Sequence, residues 1–166
     1  MSNLYLTADL HLGHNDICKY RDQFASPEEH DAIIFDNLAS AVTKRDTVFF
    51  LGDIAFDLES LDKIKSINVK SKVLILGNHD LERGVKMHHL IDTYDKIFSL
   101  HSRRNVWFSH CAIHPDEIRD RLGNIHGHSH NRAIDDGRYV CVSVEQTDYK
   151  PMLFSTAVSI LKNQGR

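Results

Sequence analysis

Five short apolar segments of this chain end in residues that bind metal ions in other proteins. The clearest is segment 72–76, which is rich in branched side chains and leads into Gly77-Asn78-His79-Asp80. A short apolar run that closes on a glycine predicts a buried strand ending in a tight turn. The other four segments lead into Asp9 and His11, Gly52 and Asp53, His110, and Gly127-His128-Ser129-His130. Because ligands collect beyond the carboxyl ends of strands in α/β domains, we expect all five segment ends to meet at one edge.

The spacing within these motifs suits a shared cation. Asp9 and His11 are two residues apart, so their side chains lie on the same side while the chain stays extended, and the same holds for His128 and His130. Taken alone, each motif is also typical of an ordinary cap, turn or loop. Their recurrence at five segment ends favours a common site.

The motif after segment 72–76 combines three kinds of chemistry. Asn78 offers a carbonyl oxygen to a metal, and His79 can donate a proton near neutral pH. Asp80 can hold the His79 imidazole in one tautomer and orientation. His14 follows the first motif in a predicted loop at the edge of the site, where substrate contact and simple solvation are both open. Asn78 is the other candidate for substrate contact.

Composition limits the class of protein. At 166 residues the chain is expected to form one domain over residues 1–166. With 20 basic and 23 acidic residues and a net charge of −3, it has no global attraction for nucleic acid or anionic membranes. It lacks both a leader-like N-terminus and the run of roughly 20 apolar residues that spans a bilayer, which predicts a cytoplasmic protein.

The histidine and cysteine content also limits the class of protein. Twelve histidines without a consecutive run favour metal binding over a purification tag. The three cysteines are far apart and have no CxxC spacing, so neither a disulfide framework nor a structural zinc site is indicated. Cys111, directly after His110, is interpreted as a packing residue.

Other local patterns predict the remaining elements. Ser26, Pro27 and Glu29 together indicate a helix start. Strands are expected at 96–101 and 105–110, joined as a hairpin, and late in the chain at 139–144. The predicted helices span 26–42, 57–67, 84–91 and the segment after Ser155.

Taken in order, the five motifs resemble, block by block, those of the calcineurin-like metallophosphoesterase family. The resemblance covers residues 3–130 and extends toward the closing strand. It implies one divalent metal bound by Asp9, His11, Asp53 and His130. It also implies that Asp53 bridges to a second metal held by Asn78, His110 and His128. His79 would stabilise the transition state and protonate the leaving oxygen, with Asp80 orienting it.

The resemblance also implies the fold and the cofactors. The expected fold is a four-layer α/β sandwich of two mixed β-sheets flanked by helices. The cofactors would be two divalent metal ions. Imidazoles with carboxylates and one amide oxygen suit manganese, with iron, zinc or nickel as alternatives, better than magnesium.

The expected activity is hydrolysis of a phosphate ester by metal-activated water. A small phosphodiester of the nucleotide type is favoured, because so short a chain leaves little room for insertions that would enclose a monoester. A phosphomonoesterase, a nuclease and a non-catalytic metal-binding scaffold remain as alternatives. The lack of a basic balance argues against the nuclease, and the filled ligand positions argue against the scaffold. The sequence does not define the physiological substrate, the native metal or the oligomeric state.

Overall fold

Two β-sheets form the centre of the computed structural model, which describes residues 2–164. Along the described chain the strands are β1 Leu4–Thr7, β2 Thr47–Phe50, β3 Ser71–Ile75, β4 Lys96–Phe98, β5 Leu100–Arg103, β6 Val106–Ser109, β7 Gly123–His126, β8 Tyr139–Cys141 and β9 Met152–Leu153. The α-helices are α1 Pro27–Ala41, α2 Leu58–Ser66, α3 Met87–Thr93, α4 Pro115–Ile118 and α5 Phe154–Gln164.

Both sheets mix parallel and antiparallel pairs. The first sheet has the order β4-β3-β2-β1-β9, in which only the β1–β9 pair is antiparallel. The second has the order β5-β6-β7-β8, in which only the β5–β6 pair is antiparallel. The parallel strands β1, β2 and β3 therefore end at one edge of the first sheet, and β6 and β7 end together in the second.

The central strands are buried on both faces, which explains their continuous apolar sequences. In β2, Val48 and Phe50 pack into the cluster that contains residues of α1 and α2. Phe49 and the following Leu51 point the other way, into the cluster shared with the second sheet. This alternation places one hydrophobic layer on each side of the first sheet.

Helices α1 and α2 begin where the sequence indicated. Ser26 Oγ accepts a hydrogen bond from the Glu29 N–H at 3.2 Å, and Pro27 occupies the first turn of α1. Asp57 caps α2 by accepting from the Ser60 N–H at 2.7 Å. None of the helices formed within residues 2–164 combines the length and the apolar character that crossing a membrane requires.

The outer layer on the second sheet is thin. It consists of the single-turn α4 and its loop, which is tied down where Tyr139 Oη donates to the Ile113 carbonyl at 2.8 Å. Helix α5 instead packs into the core between the sheets through Phe154, Ala157 and Leu161. The predicted four-layer arrangement of two mixed sheets flanked by helices is confirmed, and it is consistent with a metallophosphoesterase-like fold.

Four boundaries differ from the prediction, and one of them is the last helix, which begins at Phe154 rather than after Ser155. The expected strand 96–101 is two strands in different sheets, because the chain bends at Ser99 and crosses from β4 to β5. The expected helix 84–91 begins only at Met87, since Lys86 is still extended. The late strand ends at Cys141, and Ser143 leaves the ladder to form an isolated bridge with Ala8.

Candidate metal centre

The carboxyl ends of five strands bring seven predicted ligand side chains to one edge of the molecule. These strands are β1, β2, β3, β6 and β7. The side chains fall into two groups with one residue between them. They are Asp9, His11, Asp53, Asn78, His110, His128 and His130.

Three of these residues form the group that we call the inner cluster: Asp9, His11 and His130. Their ligand atoms all lie within 4.8 Å of one another. Nε2 of His11 and Nε2 of His130 are each 3.9 Å from Oδ1 of Asp9. Asp9 is fully buried and His11 is 7% exposed. This spacing is too wide for direct hydrogen bonds and leaves room for a cation between the three side chains.

Three others form the outer cluster: Asn78, His110 and His128. Nε2 of His110 is 2.9 Å from the Asn78 side-chain oxygen and 3.2 Å from Nδ1 of His128. His110 is buried, and its Nδ1 lies 2.8 Å from the Leu51 carbonyl. Asn78 and His128 are exposed, so this cluster opens to solvent.

Asp53 lies between the two clusters. Its Oδ2 is 3.3 Å from Nε2 of His110, and its carboxylate also groups with that of Asp9. Its Oδ1 accepts a hydrogen bond from the His79 N–H at 2.9 Å. A carboxylate in this position can contribute to both clusters.

Five of the seven candidate ligands adopt left-handed backbone conformations, which cost energy for residues other than glycine. Conformations of this kind are retained where surrounding structure enforces them, and they concentrate at functional sites. The residues and their φ angles are Asp9 57°, His11 52°, Asp53 58°, His128 67° and His130 49°.

The glycines of the motifs allow the ligands to approach the backbone. A Cβ on Gly77 would overlap the Asp53 carboxylate. A Cβ on Gly52, which itself has a φ of +89°, would overlap the His110 ring. Larger residues at either position would displace a candidate ligand.

The inner cluster contains buried polar atoms that lack hydrogen-bond partners among the residues described. They are Oδ1 of Asp9 and both ring nitrogens of His11. Buried polar atoms are almost always satisfied, so the unsatisfied oxygen of Asp9, with Nε2 of His11 at 3.9 Å, indicates a ligand between them. The donor set of carboxylates, imidazoles and one amide oxygen fits a divalent transition metal. The residues present therefore fit the implied cations.

Burial and neighbouring charges shift the pKa values of these groups. Burial raises the pKa of Asp9 to about 6, and burial together with the charge of Arg21 lowers the pKa of His11 to about 2. His11 is therefore a neutral imidazole, the form that binds metals. Burial opposes the charged form of His110, but the hydrogen bond and charge of Asp53 outweigh it and raise its pKa to about 9. In the absence of a cation, His110 and Asp53 thus form an ion pair.

A pair of opposite charges supports the inner cluster. Glu145 Oε1 is 2.8 Å from Nδ1 of His130 and 2.7 Å from the Arg21 guanidinium. Arg21, which is 2% exposed, also donates to the carbonyls of Asp9 at 2.6 Å and Leu10 at 3.1 Å. Burial would raise the pKa of Glu145, but the hydrogen bond from His130 and the charge of Arg21 lower it to about 2.

Neither Arg21 nor Glu145 belongs to a motif, and the sequence reasoning missed both. They lie 124 positions apart, so no local pattern signals their contact. A carboxylate that binds the second ring nitrogen of a metal-ligating histidine fixes its tautomer and orientation. Glu145 occupies this position for His130.

Asp80 does not orient His79 as predicted. The buried Asp80 carboxylate accepts hydrogen bonds from the backbone N–H groups of Ile54 at 3.0 Å and Gly77 at 2.7 Å, and so fixes the loop. The carboxylate paired with the His79 ring is Glu82, 3.0 Å from Nδ1 but outside hydrogen-bond alignment. The sequence could not separate these roles, because both carboxylates lie within three residues of His79.

A cavity of about 530 Å³ opens beside the inner cluster. Its wall includes His11, His130 and His79, together with His14, which was predicted to lie in a loop at the edge of the site. Asn78, also predicted to contact substrate, lies in the outer cluster and does not line this cavity. The volume is within the range of roughly 300–1,000 Å³ typical of small-molecule sites.

Cys111 is not a packing residue. Its side chain is exposed, and its sulfur groups with the ring nitrogens of His110 and His128 within 4.8 Å. The outer cluster therefore has a soft ligand within reach that the sequence pattern did not indicate.

No protein-family model matches the chain. The Gene 66 protein of Mycobacterium phage L5 is 31% identical over 172 residues, which cover 93% of this chain and 81% of the phage protein. An uncharacterised protein of Methanocaldococcus jannaschii is 28% identical over 173 residues, and the alignment covers 93% of that protein. The Gene 66 protein of Mycobacterium phage D29 is 39% identical over 85 residues, or 48% of this chain and 41% of that protein.

Two solved structures share the fold. A protein of unknown function from Aquifex aeolicus superposes with a TM-score of 0.75 at 21% identity, covering 96% of this chain and all of that one. The nuclease MPE of Pseudomonas putida superposes with a TM-score of 0.54 at 19% identity, covering 76% of this chain and 61% of the nuclease. The same architecture thus occurs in a hydrolase.

Proposed function

The chain belongs to the same protein family as the Gene 66 protein of Mycobacterium phage L5, and we propose that it is a dinuclear-metal-dependent phosphoesterase that hydrolyses a small phosphodiester. One observation carries the proposal. At the shared edge of the strands, the buried side chains of Asp9 and His11 present unsatisfied polar atoms next to Asp53 and the outer cluster.

Each cluster would hold one cation. The inner cluster would bind the first, the outer cluster the second, and Asp53 would contact both. When bound, two divalent cations activate water and neutralise charge on a phosphoryl group. The imidazole-rich donor set favours manganese, with iron, zinc or nickel as alternatives.

His79 would give a proton to the leaving oxygen. Its ring lines the cavity beside the inner cluster. Its backbone N–H donates to the Asp53 carboxylate, and this hydrogen bond fixes the His79 backbone relative to the ligands. Glu82 lies 3.0 Å from Nδ1 of His79 on the same loop. Asp80 acts on this group only through the loop that it anchors.

A phosphodiester fits better than a monoester for two reasons. The fold neighbour named as a nuclease belongs to a class that acts on phosphodiesters. The cavity of about 530 Å³ that His79 lines also leaves space for a substituent on the leaving oxygen.

The test compares bis-p-nitrophenyl phosphate with p-nitrophenyl phosphate after manganese reconstitution. We expect diester cleavage that chelation abolishes, that added manganese restores, and that the Asp53→Asn variant lacks. Asp36→Asn, an exposed carboxylate on α1, is the matched control and should retain activity. Cleavage of the monoester alone would replace the proposal with a phosphatase, and two bound cations without cleavage of either ester would favour a scaffold.

A further inference from the structure

The cavity beside the inner cluster continues outward into three side chains that the proposed reaction does not use. We call them the rim: Tyr20, Arg83 and Arg132. They come from three separate segments of the chain, one after the short 3-10 helix Ile17–Lys19, one after the His79 loop and one after His130. All three line the same cavity as His79.

An aromatic wall joins the candidate ligands to the rim. The buried ring of Phe56 lies 5.0 Å from the ring of His11, 5.4 Å from that of His79 and 4.9 Å from that of His14. Tyr20 then contacts His14 edge-on, with centroids 6.1 Å apart. Tyr20 is 78% exposed, so its face is free to stack against a planar ligand.

The rim also carries two positive charges without acidic partners. Within residues 2–164, neither Arg83 nor Arg132 takes part in an ion pair. The two carboxylates of the cavity are already engaged, Glu82 by His79 and Glu145 by Arg21 and His130. The rim therefore presents two guanidinium groups that form no ion pair within the described residues to whatever occupies the cavity.

Arg83 is directed toward the cavity. Its guanidinium carbon lies 5.1 Å from the centre of the Phe56 ring. Arg83 has a φ of +47° and precedes Gly84 at +92°, so this turn holds a non-glycine residue in a costly conformation. Arg132 is two residues beyond the candidate ligand His130, in a turn where its N–H donates to the Ser129 carbonyl at 2.9 Å.

We propose that the rim is a subsite for the leaving group of the phosphodiester, and that this leaving group is a nucleotide carrying a second phosphate. Water displaces its 3′ oxygen from the scissile phosphorus, and that oxygen takes the proton of His79. The base of the nucleotide stacks on Tyr20, and its second phosphate binds Arg83 and Arg132. The inference rests on the proposed function, because it is the position of His79 in the cavity that identifies the cavity as the leaving-group side.

The chemistry of the rim selects this class of ligand. Guanidinium groups bind phosphate through charge-assisted, often bidentate hydrogen bonds. Aromatic side chains stack on nucleobases regardless of base identity. A lipid or sugar leaving group would use one of these features at most, whereas a phosphorylated nucleotide uses both.

The first experiment compares the dinucleotides pTpT and TpT, which differ only in a terminal phosphate. We expect the ratio of kcat/KM for pTpT over TpT to fall about tenfold in Arg83→Gln and in Arg132→Gln, the usual scale for one charged hydrogen bond. Arg45→Gln removes an exposed arginine on the turn before β2 and should leave the ratio unchanged. An unchanged ratio in both rim variants would overturn the phosphate assignment.

Tyr20 is tested with a conservative pair of variants. Tyr20→Phe keeps the ring and should retain kcat/KM on pTpT, whereas Tyr20→Leu should lose about tenfold, the scale of one base stacking on an aromatic side chain. Equal behaviour of the two variants would overturn the stacking role.

A binding measurement separates failure of the subsite from failure of the proposed function. Calorimetric titration of the metal-free protein with thymidine 3′,5′-bisphosphate should show binding that weakens about tenfold in Arg83→Gln, Arg132→Gln and Tyr20→Leu. Binding without hydrolysis of any diester would retain the subsite and reject the phosphoesterase. Hydrolysis of a diester without bisphosphate binding would retain the phosphoesterase and reject the subsite.

The nucleotide leaving group has two sources, a free dinucleotide or the end of a single strand. Comparing pTpT with a longer 5′-phosphorylated oligothymidylate distinguishes them. Similar kcat/KM on both assigns the rim to strand ends, and preference for pTpT assigns it to small nucleotides. Preference for unphosphorylated TpT over pTpT would overturn the proposal.

Discussion

The inner and outer clusters differ in how firmly the protein holds their side chains. In the inner cluster, Oδ2 of Asp9 accepts from Ser143 Oγ at 2.7 Å and from the His128 N–H at 2.8 Å. His130 is oriented by Glu145, which is itself held by the buried Arg21. Asp9 and His130 are thus held by groups outside the cluster.

The outer cluster has less external support. His110 is held by the Leu51 carbonyl and by Asp53, but the exposed Asn78 and His128 contact it from the solvent side. A pre-organised site loses less conformational entropy on binding and so binds more tightly. We therefore expect two cation sites of unequal affinity, a tight inner one and an exchangeable outer one.

The largest effect is expected from Asp53→Asn, which removes the carboxylate that lies between the two clusters. Because a bound cation supplies several kcal/mol of charge stabilisation, activity on bis-p-nitrophenyl phosphate should fall by about 10³. Metal analysis of the purified variant should find fewer than two manganese ions per chain. Two retained ions together with lost activity would contradict a shared ligand.

The next largest effect is expected from His79→Ala, which separates proton donation from cation binding. Activity should fall about 10²-fold or more on a diester with a poor leaving group, and far less on bis-p-nitrophenyl phosphate, whose leaving group needs no proton. Both cation affinities should persist, as measured by calorimetry.

Two neighbouring carboxylates provide the controls for His79. Glu82→Gln should lower activity on diesters with poor leaving groups, but less than His79→Ala does, since Glu82 pairs with the His79 ring. Asp80→Asn should mainly lower the melting temperature, because Asp80 accepts from two backbone N–H groups. A leaving-group effect in Asp80→Asn but not in Glu82→Gln would restore the orientation first expected from the sequence.

An intermediate effect is expected from Glu145→Gln, which tests the support of the inner cluster directly. Loss of the carboxylate behind His130 should weaken the tighter cation site about 10- to 100-fold while leaving the weaker site unchanged. Manganese titrations followed by calorimetry measure both sites, with Glu59→Gln, an exposed carboxylate on α2, as the matched control. Weakening of the looser site alone would reverse the assignment of tight and loose clusters.

The smallest effect is expected from Cys111→Ser at the outer cluster. The thiol can join His110 and His128 around a soft cation, so the variant should bind Cd²⁺ about tenfold more weakly while its Mn²⁺ affinity changes little. Cys18→Ser is the control, because Cys18 lies outside both clusters. Equal Cd²⁺ binding by both variants would show that Cys111 is not a ligand.

Residue patterns predicted much of the fold because the determinants were local. Each of the strands β1, β2 and β3 contains one continuous apolar run. The helix caps Ser26 and Asp57 accept hydrogen bonds from residues three positions further on. The division of segment 96–101 between two sheets was missed, because its apolar pattern is the same whichever sheet each half joins.

The site shows the same division. The seven candidate ligands were visible because each follows an apolar run at a strand end, and the structure brings all seven together. The pairing of His79 with Glu82, the exposure of Cys111 and the support from Arg21 and Glu145 were not visible. Each depends on which of several nearby or distant groups the folded backbone turns toward it.

The sequence by itself determined which residue types stand at the strand ends, because hydrophobic runs, glycines and ligand residues are properties of neighbouring positions. Only the tertiary structure decided how these residues divide into a supported inner cluster and an open outer one. The contacts responsible, such as Ser143 with Asp9 and Glu145 with Arg21, join residues more than 120 positions apart. Such contacts form only when the two sheets pack together, and no local pattern records them.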